Sequence, residues 1–586
     1  TLDGENDQFV ITGEAGNFED IDLSDITVTI DRLLAKETGF VTVDAKTQGK
    51  LSSIFRYTEP EPIGLGKKMD IAIDQVQGDA ALNVIVGLPT SADPKLNEMK
   101  IDISGTANDI FIPKLVNKMD VRGGPMQVSI KDNMVTVQGN GQLDTGYPAT
   151  FKWQRFLKSD GQPYKMKVDA QIQSDHALRQ KFGVDVSDYV SGKAGLNLVY
   201  TEYTDNSADI DIDADLTNAE LFFAPLNYVK NPGDQARATL KAYLKNNSLS
   251  EINPLNISGP DLDIQKASLT FQNGDVHKGV FPENVINQTR GSCEFVFADQ
   301  NTLKLKAEGP VIDAGPFMEG PSDTPYTGPA VIASINANRM LVKKDRFVEN
   351  ASIYIDMDRQ KQVQQFEMDG KAGKGDIYIR YKPDQNGRPI LRGEIGDAGA
   401  ALKVFDIYNF VKGGRLVVTG IPSDEFWKGN LSGKVMIMDF TLMEAPLLAR
   451  LISALSLPGL GQLFNSEGIE FSKMEADFSW ISRPQGSLIN ITDGRTAGSE
   501  LGLTFKGTVD RAKDHIDLSG TIVPASTVNN IIGKIPILGH VITGGSGALI
   551  AATYEASGPA ADPDVDINPL SVLAPGFLRR LFFEED

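Results

Sequence analysis

The four histidines, His176, His277, His515 and His540, are the side chains of this chain best suited to proton transfer or metal ligation near neutral pH. Each stands apart from any partner at a metal-ligand spacing, so each is expected to be solvated or structural. The run ADIDIDADL from Ala208 offers alternating aspartates of the kind that hold calcium. It lacks the glycine and terminal glutamate of a calcium loop, and its alternation with isoleucine places the carboxylates on the wet face of a strand. GGSGA at Gly544 approaches a nucleophile elbow, but Ala548 stands where the motif needs its second glycine. No Gly-Lys pair is followed by Ser or Thr, which removes the phosphate-binding loop. Among 78 acidic residues nothing singles out a glycosidase pair. The single cysteine, Cys293, makes no intramolecular disulfide and reads as a small buried apolar residue. The chain is therefore expected not to be an enzyme and to need no metal or cofactor.

Charge narrows the partners. With 57 Lys plus Arg against 78 Asp plus Glu, the net charge of -21 repels phosphate backbones, so no nucleic acid is expected. Anionic membrane surfaces are disfavoured too, except at basic spots such as Arg579 and Arg580. The apolar run from Ala445 is broken by Arg450, Pro458 and Gly459, and the one from Ile531 by Lys534, Pro536 and three glycines. Neither is long enough to span a bilayer. Trp153, Trp427 and Trp480 are too few and too scattered for the aromatic platform of an adhesin or polysaccharide hydrolase. The chain starts at Thr1 with neither Met nor signal peptide, and is read as a processed or truncated piece of something longer.

The elements that must position any site are strands. Period-two alternation dominates: Ile26, Val28, Ile30; Met69, Ile71, Ile73; Leu82, Val84, Val86; Met126, Val128, Ile130; Ile210, Ile212. Polar residues fill the gaps, so one sheet face is apolar and the other wet. These runs recur with Gly, Asn and Asp turns between them, which predicts a long antiparallel meander. Helices are expected at Asn108 to Met119, His176 to Phe182, Ala400 to Val411, Leu442 to Ser456, Thr527 to Ile532 and Gly576 to Phe583. With about 586 residues, several domains or one repeat-like body are expected. Such a sheet either closes over its apolar face as a core or curls into an open gutter. In the open case roughly 30 strands at about 4.8 Å would reach on the order of 140 Å.

Three phrases carry a resemblance: GTIVPASTVNNIIGKIPILGHVITGG from Gly520, TYEASGPAADPDVDINPLSVLAPGFLRRLF from Thr553, and DAGAALKVFDIYNFVKGGRLVVTG from Asp397. A looser one is DLTNAELFFAPLNYVKNPGDQARATL from Asp215. They resemble the AsmA-like proteins, and more closely the branch containing YhdP and its alphaproteobacterial relatives. The likeness runs from about Asp169 to the end, while Thr1 to Val168 matches only in style. The resemblance implies an all-β fold with a few short helices, curled into an elongated open β-groove that carries phospholipid acyl chains between the inner and outer membranes. It implies a periplasmic protein anchored in the inner membrane by an N-terminal helix absent from this chain. A rival reading is a non-transporting scaffold that assists outer-membrane protein assembly, as proposed for TamB-like relatives. Three segments are expected: an N-terminal β-groove segment (1–168), a middle β-rich segment (169–320) and an AsmA-like C-terminal region (321–586). The groove-facing, lipid-binding candidates are Ile71, Ile73, Val84, Val86, Val128, Ile130, Ile210 and Ile212. A final helix after Pro575, with Phe577, Leu578, Leu581 and Phe582, is the candidate membrane or partner contact.

Overall fold

The computed structural model describes residues 2–3, 8–32, 39–59, 71–90, 98–131, 133–299, 301–318, 328–422, 430–454, 467–483, 486–524 and 551–572. It forms two compact units, Thr1–His277 and Lys278–Asp586. Both are built mainly of strands with short helices between them.

Unit 1 holds β1 (Leu2–Asp3), β2 (Gln8–Phe18), β3 (Ile21–Asp31), β4 (Phe40–Lys50), β5 (Gln77–Pro89), β6 (Lys100–Val116), β7 (Met119–Lys131), β8 (Met134–Leu143), β9 (Tyr147–Phe156) and β10 (Met166–Ser174). A short β11 (Val190–Gly192) precedes β12 (Ala194–Glu202) and β13 (Ser207–Asp215). Then follow β14 (Ala219–Phe223), β15 (Tyr228–Lys230), β16 (Arg237–Lys245), β17 (Ser248–Gly259) and β18 (Leu262–Gln272). Each main strand pairs antiparallel with the next, while β11, β14 and β15 make a small separate sheet. Helix α1 (Leu51–Tyr57) follows β4 and helix α2 (His176–Lys181) follows β10. Asp175 caps α2 by accepting from the Leu178 amide at 2.9 Å.

Unit 2 takes up from β19 (Asp275–Ile286) with β20 (Thr289–Asp299), β21 (Thr302–Asp313), β22 (Ala330–Lys343), β23 (Arg346–Met357), β24 (Val363–Ala372), β25 (Gly375–Pro383) and β26 (Pro389–Ile395). It continues with β27 (Val411–Pro422), β28 (Leu431–Leu442), β29 (Ile469–Arg483), β30 (Gly486–Ala497), β31 (Leu501–Asp510), β32 (His515–Pro524), β33 (Ala551–Pro559) and β34 (Asp564–Val572). Its helices are α3 (Gly315–Met318), α4 (Ala398–Val404) and α5 (Pro446–Ala454).

The all-β class stands, with differences in detail. The meander is not wholly antiparallel, because β21 and β22 run parallel from Thr302↔Ala330 to Asp313↔Leu341. A parallel pair needs a return crossover, which the connection through α3 supplies. The helix expected over Asn108 to Met119 is the end of β6 and the turn into β7. Left-handed backbone at Asp109, Lys114, Asn117 and Lys118 breaks any helix there and makes bulges instead. The expected Ala400 to Val411 helix stops at Val404, since Asp406 is left-handed and Val411 already belongs to β27. Met69 lies outside the described residues. Ile71 precedes a 3-10 turn, Ile73–Gln75, so the expected strand through Ile71 and Ile73 is absent. Helix α1 was not anticipated from its seven residues. The helices expected at Thr527 to Ile532 and Gly576 to Phe583 lie outside the described residues.

Candidate functional site: the apolar face of the sheet

Residues directly opposite on neighbouring strands project to the same face of a sheet. The register of unit 1 therefore traces unbroken rows. One runs Leu82, Gly105, Val128, Val137, Trp153, Val168, Tyr200, Ile210, Ala242, Ile252 and Leu269, from β5 to β18. The next runs Ala80, Ala107, Met126, Gly139, Phe151, Ala170, Leu198, Ile212, Leu240, Leu255 and Ala267 across the same strands. A third links Ala45, Val84, Ile103, Ile130 and Val135, and Val86 lies between Val43 and Ile101. Six of the eight groove candidates, Val84, Val86, Val128, Ile130, Ile210 and Ile212, thus share one face. Ile71, outside any strand, packs with Leu51, Ile54 and Phe55 of α1 against the same cluster as Leu82, Ala107 and Met126.

The opposite face is wet. Asn140, Thr150, Gln171, Asn197, Asp213, Thr239 and Asn256 form one of its rows. Thr150 donates to Asn140 Oδ1 at 2.8 Å and Asn256 to Thr239 Oγ1 at 3.1 Å. The aspartates of ADIDIDADL lie on this face with cations. Lys241 Nζ is 3.0 Å from Asp209 and 3.6 Å from Asp211, and Arg237 Nε donates to Asp213 at 2.7 Å, holding that carboxyl below the usual range. A hollow of about 910 Å³ over this stretch is lined by Phe151, Leu198, Ile212 and Leu240 and by their polar neighbours Lys152, Asn197, Asp211 and Lys241.

What covers the apolar face differs between the units. In unit 1, α1 touches β4 and β5, and Leu178 of α2 packs on Met119 and Ile172. Both helices follow strands that end on the same margin of the sheet, next to Gly49 and Ser174. Val168, Tyr200, Ile210, Ile212 and Leu240, on β10, β12, β13 and β16, are only half-buried. Among the described residues, the cluster under α1 in unit 1 has eight buried residues, and the cluster under the helices of unit 2 has 28.

In unit 2 the rows continue in kind. One runs Phe281, Cys293, Ala307, Ile335, Ile353, Met368, Ile379, Gly393, Val418, Val435 and Ala476. Burial pushes the Cys293 thiol up to about 11, which disfavours its thiolate. Here, however, α4 lies across β23, β24, β25, β27 and β28, and α5 reaches β34. Ala398 and Ala401 of α4 and Leu448, Leu451 and Ile452 of α5 share one core with Ile377, Leu416, Ile437, Phe440 and Phe471, and with Tyr554 and Ala556 of β33. Asp397 caps α4, accepting from the Ala400 amide at 3.0 Å. Periodicity finds the apolar face but gives no sign that these two helices lie on it. The Asp-Ala-Gly-Ala-Ala start of α4 is its one local signal.

Among the described residues no group of three or more His, Cys, Asp or Glu is gathered for a metal ion, and no helix is long and apolar enough to cross a membrane. His176 begins α2, His277 lies in β19 and His515 begins β32, each on a separate element; His540 is outside the described residues, as are Phe577, Leu578, Leu581 and Phe582.

No curated protein and no solved structure matches the chain. A family model described as YhdP protein matches residues 1–388. That span holds all of unit 1 and the start of unit 2, including the Thr1 to Val168 stretch whose likeness was only stylistic. The phrases at Asp397, Gly520 and Thr553 lie beyond it. With more than half its length matched, this chain belongs to the YhdP family.

Proposed function

We propose that the protein is a non-enzymatic, lipid-handling component of the bacterial envelope, and that the apolar face of unit 1 receives phospholipid acyl chains. The observation that carries this reading is the set of half-buried apolar residues, Val168, Tyr200, Ile210, Ile212 and Leu240, on two adjacent register rows across four neighbouring strands. Each methylene left in water costs about 0.8 kcal/mol, so a lipid leaves a bilayer only for a surface of matching apolarity. A row of half-buried side chains that supplies this surface needs no chemistry. Head groups stay in solvent, in keeping with the acidic balance of the chain. The lipid would move between inner and outer membranes through the periplasm.

A photo-crosslinker at Val128 or Ile212 captures lipid in this reading, while one at Ser129 or Asp211, on the wet face, does not. Native mass spectrometry of the purified chain reports the same cargo directly. Equal labelling of both faces sinks the assignment. The alternative, a non-transporting scaffold for outer-membrane protein assembly, is favoured by the filled core of unit 2, and would be supported if no lipid is carried at any position.

A further inference from the structure

Unit 2 repeats the apolar rows of unit 1 but lays its own chain over them. Helix α4 crosses five strands of the face, and α5 packs against β34. Ala398, Ala401 and Leu451 are at most 1 % exposed, as are Ile377 and Ile469 among the strand residues in the same core. Polar contacts fix the two helices from both sides. Past the end of α4, the Asp406 carboxylate accepts from Lys343 at 2.8 Å and from Arg346, both at the β22–β23 turn. Arg511, at the β31–β32 turn, donates to the Asp406 carbonyl. Arg450 of α5 pairs with Asp562 at the β33–β34 turn. Each helix is thus tied to a strand turn distant in sequence.

We infer that α4 and α5 are a built-in stop, which occupies the apolar face between β23 and β34 and excludes acyl chains from it. This rests on the acyl-chain reading of unit 1. An acyl chain held in a bilayer, or on the open face of unit 1, is already out of water. It gains no further apolar burial by displacing the helices, whereas α4 and α5 would lose theirs. Helices of seven and nine residues do not persist alone in water, so lifting them also melts them. The exchange is unfavourable on both counts, and lipid contact is confined to the face of unit 1, where no described helix lies over Ile212.

The full chain, incubated with phosphatidylethanolamine–phosphatidylglycerol vesicles, carries a photo-crosslinker at Ile212 or at Val418. Capture at Ile212 at least roughly tenfold above that at Val418 is expected, a ratio that corresponds to about 1.4 kcal/mol. Replacing Leu402 and Val404 of α4, the helix that lies on β27, by alanine opens space over that strand and raises capture at Val418. Hydrogen exchange of the unaltered chain, with and without vesicle lipid, gives a measurement free of substitutions: protection rises in β9 to β16 and stays unchanged in β25 to β28. Capture at Val418 equal to that at Ile212, or lipid-dependent protection of β27 and β28, overturns the stop while leaving unit 1 as a lipid surface. Capture at neither position overturns the acyl-chain reading and the stop with it.

Discussion

Asp406 and Arg511 are 105 residues apart in the chain, yet the Arg511 guanidinium donates to the Asp406 carbonyl and lies 3.9 Å from its carboxylate. A contact of that span means that the turn after α4 and the turn after β31 come together within unit 2. The sheet between them therefore curls, and α4 lies in the curl. Asp406 is the hub, since Lys343 and Arg346 reach the same carboxylate from the β22–β23 turn.

This hub is acid-sensitive. The hydrogen bond from Lys343, ahead of that from Arg346, holds the Asp406 carboxyl below its ordinary 3.8. A carboxyl depressed in the folded state contributes stability above its unfolded pKa, and the contribution is lost as pH falls through the folded value. Asp406→Asn should lower the melting temperature by about 2 °C at pH 7, since Asp406 is 33 % and Lys343 62 % exposed, so the pair is screened and contributes about 1 kcal/mol. The gap between variant and parent should close as pH falls through the folded-state value, which lies below 3.8. A gap that persists in acid would show that packing of the turn, not charge, sets the effect.

Truncation should cost very different amounts on the two faces. Ile437 is 3 % exposed in the unit 2 core, so Ile437→Ala is expected to lose about 3 kcal/mol. Ile212 is half-buried, and Ile212→Ala should lose about 1 kcal/mol. Urea unfolding of both variants measures the contrast, and equal losses would place a hidden layer over unit 1.

Lys230 is a buried lysine whose Nζ donates to the carbonyls of Leu216, Thr217 and Ala219 at 2.7, 2.9 and 2.8 Å. Lys230→Met keeps the stem and strands three acceptors, for an expected loss of about 3 kcal/mol. Hydrogen exchange should rise first in β14 and β15, with lipid capture at Ile212 unchanged. Lost capture with intact exchange would assign Lys230 to the lipid surface.

Gly420 and Gly433 face each other across β27 and β28. A Cβ on Gly433 would sit 2.0 Å from the Thr419 carbonyl oxygen and 2.7 Å from Gly420 Cα, both of them backbone. Gly433→Ala should therefore destabilise by about 2 kcal/mol, whereas alanine at Gly387, with nothing within 4 Å, meets only the strain of its left-handed backbone. Thermal melts of the two variants test the difference.

The paired substitution Phe577→Asp with Phe582→Asp addresses the proposed membrane contact. It should abolish lipid delivery to acceptor liposomes and leave loading and melting temperature nearly unchanged. A large fall in melting temperature with lost loading would make the C-terminal segment a cap for the sheet.

The sequence by itself determined the strands and their faces. A period of two needs only the order of residues, so the placement of Val128, Ile130, Ile210 and Ile212 on one side follows from alternation alone. It also determined that Asp209, Asp211 and Asp213 face solvent, because they hold the intervening positions. Alternation misled at Ile71 and Ile73, since Ile71 lies outside any strand and Ile73 opens a 3-10 turn, while the helix expected over Asn108 to Met119 passed over the alternation of Ile110 and Ile112, which lie in β6. Left-handed residues such as Asp109 and Lys114 are set by strand pairing, and no local pattern announces them. Only the tertiary structure decided whether an apolar face is open or filled. That choice depends on contacts between Leu451 and strands far along the chain, and on Asp406 meeting Arg511, relations that carry no period in the sequence. The same alternation is therefore compatible with the half-buried row through Ile212 and with the helix-packed row through Ile437, and long-range packing alone separates them.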